Sequence, residues 1–180
     1  MNLGVMSGCL SGRKNISGER LIAAWRWFEE IPDAAPESPY GKSKIDAIVE
    51  GALSAAKQQD LLGLDDRIRG ALQRVGEESI RQRFERLVGS LKERFGTNAT
   101  FDGMPNYLML ARGFRGRVAH GHFEANGADE LTTFHKATLA LEAFCFLLTA
   151  RDLPMSERAI RQIWMHPVVE DFMRAYPFEV

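Results

Sequence analysis

Residues 131–151 read LTTFHKATLALEAFCFLLTAR, and this stretch decides the fold. Phe134, Leu141, Phe144, Cys145 and Leu148 recur at helical spacing, and apolar side chains continue nearly all the way round the helix. A helix with so little polar face must be covered on most sides by other elements, which makes it the central helix of a bundle. Its longest apolar run, residues 137–150, contains Glu142 and by this reading is too short to cross a bilayer.

The elements around it carry the same period. Tyr107, Leu110, Ala111, Phe114 and Val118 form one stripe, preceded by a polar connector over residues 97–106 and followed by a turn and cap at 126–129. Further upstream, residues 20–30 read as one helix ending before Pro32. A loop over residues 33–42 follows, with Pro36 and Pro39 inside it. Ile45, Ile48, Val49 and Leu53 mark a second amphipathic helix. A long third segment carries Ile68, Leu72 and Val75, then Phe84, Leu87, Val88, Leu91 and Phe95, with Gly76 as an interruption and Gly96 as its end. Ser156 opens a last helical region, broken near Pro167. No alternating strand pattern occurs, so the chain is predicted to be all-α, a single helical domain over residues 1–180.

Composition narrows the function. With 180 residues and 45% hydrophobic content there is enough for one real core. A net charge of −1 and a pI near 6.4 exclude a global basic field, so any nucleic-acid contact must come from a local patch. Cys9 and Cys145 have no metal-ligand spacing, and Cys145 in its apolar run reads as a buried thiol. The first residues lack the pattern of a secretory signal, so a cytoplasmic location with no membrane association is expected. The glycosylation patterns at Asn15 and Asn98 are then chance matches.

The densest chemistry lies in residues 112–122, RGFRGRVAHGH, with Arg112, Arg115, Arg117, His120 and His122. Arginine presents a planar, permanently charged fork that fits phosphate oxygens, and histidine transfers protons near neutral pH. The bland reading is a cationic helix end, since basic residues in a last turn are favoured by the helix dipole. Arg115 and His120 are five positions apart, about 140° around an ideal helix, so a straight helix does not bring them together. The chain must bend or stop near His120, and Gly121 suits a left-handed stop.

The segment Arg115-Gly116-Arg117-Val118-Ala119-His120-Gly121 resembles the motif of the HEPN family (higher eukaryotes and prokaryotes nucleotide-binding domains): arginine, four residues, histidine. A small residue before the histidine, a glycine after it and a following Leu- and Phe-rich helix fit the same pattern. Together with Leu21-Ile22-Ala23-Ala24-Trp25, the setting is most similar to the ApeA-like HEPN branch of antiphage defence proteins. Two positions depart from the family: Gly116 replaces the usual polar residue, and His122 replaces the tyrosine of members paired with a nucleotidyltransferase antitoxin.

The resemblance implies an endoribonuclease that needs no metal and no cofactor and acts on RNA as a homodimer. Arg115 and His120 would be catalytic, and Arg112, Arg117 and His122 would hold the substrate. A further defence-system or antitoxin partner is compatible with that setting. The alternative is a non-catalytic helical module for dimerisation or RNA binding. Elsewhere, His135 and His166 read as satisfied structural histidines, and Glu29-Glu30 and Glu77-Glu78 as solvated helix positions. Residues 7–12 are Gly-rich but lack the ending of a phosphate loop. Trp25, Trp27 and Phe28 are core or partner anchors, with core packing favoured for at least two.

Overall fold

The computed structural model describes residues 17–33, 41–61, 63–75, 77–97, 99–121 and 123–175. These are 80% helical without strands, so the protein is all-α. The helices in chain order are α1 (Gly18–Glu30), α2 (Lys42–Gln58), α3 (Asp65–Val75), α4 (Ile80–Phe95), α5 (Thr100–Ala119), α6 (Ala128–Arg151), α7 (Glu157–Gln162) and α8 (Pro167–Ala175). A 3-10 turn, Ile163–Met165, joins the last two.

Local chemistry sets these boundaries. Ser17 caps α1, its hydroxyl accepting the Arg20 N–H at 3.3 Å. Ile31 leaves the helix at ψ 122° because Pro32 disfavours helical backbone in the residue before it. Pro167 opens α8, where its missing N–H costs nothing.

The long third segment divides into α3 and α4, while Gly76 itself lies outside the described residues. α5 begins at Thr100 rather than Tyr107, so the expected connector is largely helical. Pro105 removes one ladder hydrogen bond there, but Phe101 and Met104 are buried at 1% and 0% exposure, and that burial outweighs the loss. α6 is the central helix, packed against α1, α5 and α8. Its 24 residues exceed the apolar run read from sequence, and it is long and apolar enough to cross a bilayer by length and composition alone. In the fold, 67% of its apolar window is buried against protein.

The chain divides into two compact units. Residues up to 32 and from 84 onward form the first, whose core around α6 joins Phe28, Phe84 and Phe144 with ring centroids 5.5–5.9 Å apart. Trp25, Trp27 and Phe28 are all core residues. Residues 33–83 form the second unit. There Ile45, Val49 and Leu53 of α2 pack on Ile68 and Leu72 of α3. Its first and last residues are bridged: Arg83 Nε donates to Asp33 Oδ2 at 2.8 Å.

Candidate functional site

The site grows out of the last two turns of α5. Leu108 and Ala111 lie fully buried on the core side of this helix, and Arg115 follows them on that side. Toward the helix end the core gives way to α1, which approaches closely: a Cβ on Gly18 would lie 2.7 Å from Val118 Cγ1. Arg115 therefore extends alongside α1, 42% exposed, with its Nη2 4.0 Å from Glu29 Oε1. That distance is an electrostatic contact, too long for a hydrogen bond. The same Glu29 oxygen accepts the Trp25 indole N–H at 2.7 Å.

The helix stops at His120. His120 is the C-cap at φ −95° and ψ 6°, exposed, its N–H donating to the Gly116 carbonyl at 3.2 Å. Gly121 takes φ +70°, the left-handed conformation in which glycine carries no Cβ penalty, and its N–H closes on the Val118 carbonyl at 3.0 Å. Counting around the helix, His120 continues the outward row Met109, Gly113, Gly116, about 140° from Arg115. Within one copy the two groups thus face different sides.

The other expected site residues separate in role. Arg112 is exposed near Arg115, both cations on adjacent parts of one face. Arg117 is half-exposed and engaged by neighbouring groups of the same chain. Its Nη1 donates to Glu130 Oε1, its Nη2 to the Glu124 carbonyl at 3.4 Å, and its guanidinium lies over the Phe123 ring at 5.1 Å. Glu130 in turn accepts the Asn126 N–H at 2.6 Å. The Arg117 hydrogen bond, followed by that of Asn126, holds the Glu130 carboxyl below its ordinary range. Arg117 is therefore a clamp between α5 and the start of α6. His122 lies outside the described residues.

Sequence reasoning overlooked one charged pair. Arg20 at the start of α1 and Glu142 in the middle of α6 form a buried bidentate bridge, 2.6 Å from Arg20 Nε to Oε1 and 2.6 Å from Nη2 to Oε2. The available signal was Glu142 itself, since a carboxylate inside an apolar run demands a cation. His135, half-buried on the same helix, is pushed down chiefly by burial and then by the Arg20 charge, with Asp171 opposing. His166 stacks on Phe146 at 4.0 Å and accepts the Val168 N–H, a structural role. Cys145 is buried, its thiol 3.6 Å from the Ala24 carbonyl, and Cys9 lies outside the described residues. Among the described residues, no three His, Cys, Asp or Glu gather into a metal-binding group.

No protein-family model, curated protein or solved structure matches the chain significantly.

Proposed function

We propose that this protein is a metal-independent endoribonuclease of HEPN type, acting as a homodimer in bacterial antiphage defence or stress response. The observation that carries this reading is the stop of α5 at the motif. The helix ends at Ala119, His120 is its exposed cap, and Gly121 turns the chain away in a left-handed conformation. A proton-transfer group is thereby set at a solvent-facing helix end, five positions beyond a half-exposed arginine.

The 140° between the two groups favours a cleft shared by two copies. A Cβ added at Gly113 or Gly116 would meet nothing within 4 Å, so the row leading to His120 leaves room for a second α5 to approach. In such a cleft the RNA 2′-hydroxyl attacks the adjacent phosphorus. His120 takes the hydroxyl proton and, as the bond to the 5′-oxygen breaks, passes a proton to that oxygen. Arg115 stabilises the charge developing on the phosphate oxygens. Arg112 holds the RNA backbone, as do Arg117 and His122 to the extent that substrate reaches them. The products are a 2′,3′-cyclic phosphate and a 5′-hydroxyl.

The second reading, a non-catalytic RNA-binding or dimerisation module, is favoured by Arg117. Its engagement with Glu130 leaves Arg112 and Arg115 as the motif cations placed for phosphate. One experiment separates the two. Single-stranded RNA incubated with the protein in EDTA yields fragments ending in cyclic phosphate if the enzyme reading is right. His120→Ala and Arg115→Ala each then lose roughly a hundredfold or more in rate. RNA bound but never cut, by the wild type as by the variants, establishes the module instead.

A further inference from the structure

Arg115 comes with its own counter-ion, and a core-rooted indole anchors that counter-ion. Trp25 is 8% exposed and rooted in the core, its ring against Phe28 at 5.7 Å and Phe84 at 6.5 Å. Its indole N–H donates to Glu29 Oε1 at 2.7 Å, one helical turn further along α1. That same oxygen lies 4.0 Å from Arg115 Nη2.

Three consequences follow. The carboxylate is ordered by a rigid donor, so its charge acts on Arg115 from one place rather than from a spread of rotamers. The indole anchors Glu29 Oε1 4.0 Å from Arg115 Nη2, so Arg115 is neutralised in part while Glu29 takes no hydrogen bond from its fork. A phosphate arriving at Arg115 meets a nearby negative charge that it must outcompete.

Resting on the ribonuclease reading above, we infer that Glu29 is a tuning residue for the phosphate site. Held off by Trp25, it lowers the affinity of Arg115 for RNA phosphate without blocking it. Glu29 is thus a positioning and charge-setting group, acting through Arg115. Trp25 sets how strongly it acts, because a Glu29 released from the indole is free to close onto the guanidinium as a direct, hydrogen-bonded pair.

The two residues therefore predict opposite effects. Binding of a fluorescein-labelled single-stranded RNA is measured by anisotropy at low salt, with folding verified by circular dichroism and melting temperature. Glu29→Gln removes the charge from an exposed position and tightens binding about two- to fivefold, the range expected of a solvent-exposed ion pair. Trp25→Phe keeps an aromatic ring in the core, releases the carboxylate and weakens binding about twofold.

The double variant Trp25→Phe/Glu29→Gln binds as tightly as Glu29→Gln alone. Packing damage at Trp25 would not be reversed by a substitution at Glu29, so this reversal is the decisive readout. In an Arg115→Ala background the Glu29→Gln effect disappears. If Arg115→Ala weakens RNA binding while Glu29→Gln changes nothing, the tuning role is overturned and the ribonuclease reading stands. If neither substitution alters binding or cleavage, both fall. A Trp25→Phe variant that does not fold leaves the Glu29→Gln arms decisive by themselves.

Discussion

Glu142 shows what a single residue can demand of a fold. It sits at 3% exposure in the most apolar helix of the protein and is matched by Arg20, 122 positions away, at 5% exposure. Both carboxylate oxygens are satisfied by the arginine fork, the geometry that makes a buried ion pair tolerable. Removing one partner strands the other charge, a loss of about 3–5 kcal/mol in systems of this kind. Glu142→Leu is accordingly expected to lower the urea midpoint sharply. Arg20→Met/Glu142→Leu, with neither charge left, should recover most of the loss. A Glu142→Leu variant within about 1 kcal/mol of wild type would show that the pair is not the closed, desolvated bridge described here. This bond was half legible beforehand. A carboxylate in the run 137–150 announces a buried cation, but nothing local says which of the chain's arginines supplies it, because the pairing is made by tertiary packing.

At the scale of the element, helix α5 decides whether the site exists, and its two ends were unequally legible. The C-terminal stop follows from residue types in direct sequence, because Gly121 accepts φ +70° and leaves His120 as the cap. The N-terminal start was misplaced, because Pro105 reads as a breaker while the burial of Phe101 and Met104 that overrides it is a tertiary effect. The division at residues 33 and 83 was likewise hidden: periodicity reveals each helix's apolar face but not which helix covers it. The stop can be tested directly. A Cβ at Gly121 would meet nothing within 4 Å, so any substitution cost there is purely conformational. Gly121→Val should cost about 1–2 kcal/mol and Gly121→Asn distinctly less, since asparagine visits the left-handed region more readily. Cleavage should fall in the same order as His120 loses its fixed place. Equal melting temperatures for the three proteins would mean that the left-handed turn is not what ends α5.

For the whole molecule the question is how many chains make one site. Arg115 lies toward α1 and Glu29, whereas His120 lies on the outward row with Gly113 and Gly116, so a lone copy offers a phosphate either the charge or the proton carrier. In the proposed dimer, two copies joined along α5 would offer both to one phosphodiester. Sedimentation at micromolar concentration should therefore give about twice the 20.2 kDa chain mass. The stronger test is complementation. Arg115→Ala and His120→Ala are each expected to be inactive alone. Mixed in equal amounts and allowed to exchange, they form heterodimers carrying one intact arginine and one intact histidine on different chains. Recovery of cleavage in the mixture, rising with the fraction of heterodimer, would mean that the two groups act across the interface. A monomer that cleaves RNA, or heterodimers that remain silent while wild-type dimers cut, would place arginine and histidine in the same chain. The geometric separation along α5 would then have to close by a bend at the helix end.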